Sequence, residues 1–177
     1  MRKMRFPQIV CILVCSFPLF GVSRFTVSLA SGAGWYMGFP LYEDTLPFRS
    51  SYALDAVFDM GLQNETLEVS LEIPFRFVSR SPFFNGTSRR AFFSVGGGLR
   101  LRTMFSEVVG MFFSASMQYN WYLVDQAFLS FDGKLGPLFV LWRDNKNNVA
   151  LEIPLGLQVR KDILGVSTGF LIRYTYN

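Results

Sequence analysis

Alternation of apolar and polar residues at every second position is the feature that most restricts the fold of this chain. From Leu67 to Phe77 the odd positions read Leu67, Val69, Leu71, Ile73, Phe75 and Phe77, and the even ones Glu68, Ser70, Glu72, Pro74 and Arg76. A strand points successive side chains to opposite faces, so the two sets meet different surroundings. Eight segments share the pattern: 25–35, 52–62, 67–77, 91–103, 109–123, 127–141, 149–159 and 164–176. None reads as an amphipathic helix. The more apolar registers together hold 54 positions without one Asp, Glu, Lys or Arg. At the chain's 17 % charged content, roughly nine charges would be expected among them by composition alone.

The opposite registers hold Asp55, Asp59, Glu68, Glu72, Arg76, Arg100, Arg102, Asp132, Lys134, Glu152 and Arg173, and Arg160 continues the seventh segment in phase. Six acids therefore stand against six bases. A charge facing lipid near the bilayer midplane costs ~2–4 kcal/mol for Arg or Lys. A charge inside a closed barrel finds a partner. The pattern predicts an all-β fold, an eight-stranded antiparallel up-and-down transmembrane β-barrel, with these twelve residues as an ion-pair network in its lumen.

The N-terminus carries Arg2, Lys3 and Arg5, then a mostly apolar run over 9–20, then the small residues Gly21 and Ser23. This is the organisation of a cleavable signal peptide, so residues 1–23 are assigned to export and residues 24–177 to one barrel domain. As a helix the run is too short to cross a bilayer, which needs ~20 residues. The sequence has 17 Lys+Arg and 13 Asp+Glu. Without the three early bases 14 face 13, which is no footprint for nucleic acid. Cys11 and Cys15 both lie in the apolar run, which leaves no thiol in the barrel for a disulfide or for catalysis. Val10 and Val14 precede them, where a lipid-attachment site would carry a small residue.

Connections follow the expected asymmetry of a barrel with both termini on one side. Turns at 63–65, 105–107 and 144–148 fall on the terminus side. The opposite side has long loops at 36–51 and 78–90 and short ones near Asp125 and Lys161-Asp162. Trp35, Tyr36, Tyr119, Trp121, Trp142, Tyr174 and Tyr176 lie near strand ends, where aromatic girdles form at membrane interfaces. Pro74, Pro137 and Pro154 fall inside predicted strands, where each removes a ladder donor and marks a bulge or a break. Gly96-Gly97-Gly98 is followed by no helix and reads as a kink or as room in a narrow lumen, not as a phosphate loop. Asn64-Glu-Thr66 and Asn85-Gly-Thr87 match the glycosylation sequon but read as turns.

Two motifs carry a resemblance. Leu71-Glu-Ile-Pro74, continued by Phe75-Arg-Phe77, recurs as Leu151-Glu-Ile-Pro154, continued by Leu155-Gly-Leu157. Both resemble a strand of the small outer-membrane barrels of the OmpX, OmpW and opacity-protein group. The stretch Ser167-Thr-Gly169-Phe-Leu-Ile172-Arg-Tyr174 looks like the C-terminal assembly signal of such barrels, with Gly169, Ile172 and Tyr174 at its key positions; the chain runs on through Tyr176 to Asn177. The resemblance implies the bacterial outer membrane as location, and membrane lipid and the barrel assembly machinery as partners.

Catalysis is poorly supplied. The chain has no His, so a Ser or Thr nucleophile lacks its usual base, and the expectation is a protein that is no enzyme and uses no cofactor or metal. Glu68 and Glu72 share a column with Arg76 and read as part of the ion-pair network. An eight-stranded barrel is just wide enough for its own side chains, which argues against a wide pore. Outer-loop contact is assigned to Trp35, Tyr36, Phe39, Tyr42, Phe83, Phe84, Arg89 and Arg90, with a host or matrix ligand, lipopolysaccharide or a small hydrophobic molecule as partner. Three readings stay open: a plugged barrel that displays interaction loops, an OmpW-like conduit for hydrophobic molecules, and a soluble lipocalin-like calyx.

Overall fold

A computed structural model describes residues 24–40, 49–79, 91–122, 127–160 and 163–177. Its strands are β1 (Arg24–Pro40), β2 (Arg49–Gln63), β3 (Leu67–Val78), β4 (Phe92–Met104), β5 (Val109–Tyr122), β6 (Ala127–Arg143), β7 (Asn147–Glu152), β8 (Leu155–Arg160) and β9 (Ile163–Tyr176). Each pairs antiparallel with the next around the ring, and β1 also pairs with β9, as in Gly34↔Gly169. A sheet that returns to its first strand has no edge, and every backbone group within it has a ladder partner to find. At the closing seam a Cβ on Gly169 would sit 2.6 Å from the Cα of Gly34, so the strands cross there only because both positions lack a side chain.

Both β7 and β8 lie between β6 and β9, so they are halves of one stave and the ring has eight. The expected seventh strand, 149–159, is thus broken at Ile153-Pro154. The register of β6 sets Gly136 and Pro137 opposite that break, and the Ile153 N–H donates to the Pro137 carbonyl at 3.1 Å. Two proline gaps fall at the same place, which confines the loss of ladder bonds to one site. Pro74 follows a similar rule. Toward β4 the pairing passes from Glu72↔Gly98 to Phe75↔Val95, leaving Ile73-Pro74 opposite Gly96-Gly97.

Strand limits differ from the sequence reading mainly at the loop side. There β1 runs to Pro40 and β2 starts at Arg49, so much of the expected 36–51 loop is barrel wall. At the other side β6 continues to Arg143 past a bulge between Val140 and Trp142. All three tight turns lie with the termini, and each is held by its own side chain. The Asn64 Oδ1 accepts from the Thr66 and Leu67 N–H groups, the Ser106 Oγ from those of Val108 and Val109, and the Asp144 Oδ1 from those of Lys146 and Asn147. Asn, Ser and Asp serve here because a short polar side chain replaces the turn's missing acceptor.

The outer wall is apolar. Leu29, Leu54, Leu71, Leu99, Phe113, Leu129, Leu157, Phe170 and Ile172 are all exposed on it. So much contiguous apolar surface is unfavourable in water and favourable in hydrocarbon. Tyr52, Tyr119 and Trp121 ring the loop-side rim together with the half-buried Trp35; Trp142, Tyr174 and Tyr176 ring the turn-side rim. Edge-to-face pairs at 5.0 Å join Trp35 to Tyr52 and Tyr119 to Trp121.

Candidate functional site

Parity along each strand decides what enters the lumen, and the lumen is where the charges meet. Of the twelve predicted network residues, eleven are buried and Asp55 is half-buried. Ten of them form three connected groups along the barrel axis. Nearest the turns, the Arg102 Nη2 meets the Glu68 Oε2 at 2.6 Å, and the Thr26 hydroxyl donates to the other Glu68 oxygen at 3.3 Å. One layer up, Glu152 receives the Arg173 Nε at 2.7 Å and the Arg100 Nη2 on the same oxygen, and the Arg173 Nη1 pairs with Asp59. The Arg100 guanidinium also lies over the Phe112 ring, 4.2 Å from its centroid. This group links β4, β7, β9 and β2.

Toward the loops, Arg76 grips Asp55 with two nitrogens at 2.7 and 3.2 Å and Asp132 with a third at 3.1 Å, while the Lys134 Nζ lies 3.4 Å from Asp55. Because β2 and β6 stand four staves apart in a ring of eight, this bridge crosses the full width of the lumen. Glu72 sits between the two larger groups, hydrogen-bonded by the Ser114 side chain and facing Arg100 and Lys134. Burying so many ions is tolerable only because each acid meets a base or a hydrogen-bond donor; an unpaired charge in such a site costs several kcal/mol.

Uncharged polar groups complete the filling, and the charge pattern alone did not mark them. The Asp132 Oδ1 accepts from Ser130, whose oxygen in turn accepts from the side-chain amides of Asn120 at 2.9 Å and Gln158 at 3.1 Å. The Tyr36 hydroxyl donates to the Gln158 Oε1 at 2.8 Å. Parity was the available signal: Tyr36 shares the inward phase of Thr26, Ser28 and Ala30 along β1. Near the mouth Tyr36, Ala53, Val78 and Phe92 pack as an apolar cluster, and the Arg160 guanidinium stands 4.7 Å from the centre of the Phe128 ring.

The outer-loop assignments divide. Tyr36 belongs neither to a loop nor to a girdle, because its place in β1 turns it into the lumen. Trp35 and Phe39 are also strand residues, half-buried and exposed respectively. Tyr42, Phe83, Phe84, Arg89 and Arg90 lie outside the described residues. Of the assembly-signal positions, Gly169 forms the closing seam, and Ile172 and Tyr174 face outward, the Tyr174 hydroxyl bonding the Asn147 side chain. The lipocalin-like alternative needs apolar side chains inside. They are outside, and the interior is ionic.

At the turn side an open hollow of about 570 Å³ is lined by Arg24, Gln63, Asn64, Glu65, Arg143, Asp144, Asn145 and Asn177. There the Asn147 side-chain amide, then the backbone N–H of Lys146, hold the Asp144 carboxyl below its ordinary value.

Among solved structures, the chain is similar to Neisserial surface protein A, with a TM-score of 0.62 and 10 % identity over 86 % of this chain and 97 % of that one. It is also similar to Ail, the attachment invasion locus protein of Yersinia pestis, with a TM-score of 0.54 and 9 % identity over 85 % and 98 %. Both are small eight-stranded outer-membrane barrels, and this chain shares their up-and-down ring of eight. No family model and no curated sequence matches it.

Proposed function

We propose that this protein is an integral outer-membrane barrel with no enzymatic role, exported by residues 1–23 and inserted by the barrel assembly machinery, whose ion-filled lumen serves as a rigid plug while its outer loops make surface contacts. The observation that carries the reading is the Asp55, Arg76, Asp132 bridge across the whole lumen. A static interior tied from β2 to β6 and from β4 to β9 leaves little room for solutes. Function then belongs to what projects outside. Segments 41–48 and 80–90 hold Tyr42, Leu46, Phe48, Phe83, Phe84, Arg89 and Arg90, a mixture of apolar and cationic groups suited to a host or matrix surface or to lipopolysaccharide phosphates. The name of Ail refers to attachment and invasion, which agrees with this class of role.

Two measurements test it. In planar bilayers the protein should give no stable conductance steps; porin-like steps would overturn the plug. Cells that display the full chain should bind host cells or matrix-coated surfaces better than cells displaying a chain that lacks residues 81–88. Both chains should keep the heat-modifiable gel mobility of a folded barrel, and equal binding by the two would remove the surface-contact role.

A further inference from the structure

The three turns beside the termini are not alike. Two are wholly polar at their tips, Asn64-Glu-Thr66 and Asp144-Asn-Lys146. The β4–β5 turn is bracketed instead by Phe105, 66 % exposed, and Val108, 55 % exposed. Several of its backbone groups are satisfied within the chain. The Phe105 and Ser106 N–H groups donate to the Val109 carbonyl at 3.0 and 3.1 Å, the Val108 N–H donates to the Ser106 hydroxyl at 3.3 Å, and the Val108 carbonyl accepts from the Val140 N–H at 2.8 Å. Each backbone group satisfied in this way lowers the cost of seating a turn at the edge of hydrocarbon. Beside it on β6, Leu141 and Trp142 are exposed, and above it on β5 the outward side chains are Val109, Met111 and Phe113.

We infer that the β4–β5 turn is a lipid-seated keel: Phe105 and Val108, with Leu141 and Trp142, sit in the boundary between acyl chains and headgroups of the leaflet on the terminus side, and Glu107 at the tip reaches the headgroups. The patch is continuous with the apolar wall through Val109 and Met111, which commits its occupant to phospholipid. The inference rests on the proposal that the barrel lies in a membrane. Its test separates the two ideas.

Beyond residue 23 the chain has no cysteine, so Val108→Cys, Met111→Cys and Glu65→Cys each carry one environment-sensitive fluorophore after reconstitution in phosphatidylcholine vesicles with or without brominated acyl chains. Heat-modifiable mobility checks folding, and Phe105→Cys replaces Val108→Cys should the latter fail to fold. The expected result is loss of emission in brominated vesicles for the labels at 108 and 111, with the label at 65 unchanged. A quenched label at 111 beside an unquenched one at 108 overturns the keel alone and leaves the turn to water or a protein partner. An unquenched label at 111 overturns the membrane placement itself.

Discussion

The two larger ion groups of the lumen are built to different tightness. Around Glu152, on the turn half, every charged side chain is at most 4 % exposed, and one carboxylate oxygen takes two guanidinium groups. Around Arg76, on the loop half, the Asp55 side chain is 13 % exposed and Lys134 reaches it only at 3.4 Å. A sealed group gains most from pairing and loses most when one partner goes; a group nearer the mouth has water as a substitute. The turn half is therefore the structural lock.

Breaking the tighter group should have the largest effect. Glu152→Ala removes the one oxygen that Arg100 and Arg173 share and leaves Arg173 with Asp59 alone, and should lower the free energy of urea unfolding from lipid vesicles by about 3–5 kcal/mol. Arg76→Ala should cost less, about 3 kcal/mol, at the low end of the range for a broken buried pair, because Asp55 keeps Lys134 as a neighbour. Lys134→Met should cost about 1 kcal/mol, the net worth of one ordinary hydrogen bond, because Asp55 keeps its closer partner Arg76. Equal destabilisation of the barrel by Lys134→Met and Glu152→Ala would contradict the difference between the two groups. The smallest effect belongs to the turn at Asp144, outside both groups. A carboxyl held below its ordinary value in the fold contributes stability above the ordinary carboxylate range, and loses it as pH falls through the lowered value. Asn147→Ala removes the leading cause of the shift, so the carboxyl carbon resonance of Asp144 should titrate at higher pH than in the parent protein.

Much of this was legible in the sequence because two solvents impose a period of two on every stave. Leu67 to Phe77 shows both faces within eleven residues, and the turns announced themselves through Asn64, Ser106 and Asp144. The partners did not. Arg100 finds Glu152 and Arg173 finds Asp59 because of strand stagger around a closed ring, which no local pattern encodes. The loop-side limits were equally hidden, since Trp35, Tyr36 and Phe39 suit either a projecting loop or a wall that rises past the rim. The break at Ile153-Pro154 depends on where Pro137 falls across the ladder, a relation between two strands and not a property of either.

Orientation of the two faces is the central claim, and a cysteine scan along 111–120 of β5 in lipid vesicles tests it most directly. Spin labels at each position, read with a lipid-soluble and a water-soluble relaxing agent, should alternate strictly. Positions 111, 113, 115, 117 and 119 should respond to the lipid-soluble agent, and 112, 114, 116, 118 and 120 to neither. A response of the even positions to the water-soluble agent throughout, or the absence of alternation, would contradict a barrel with an ion-filled interior and an oil-facing wall.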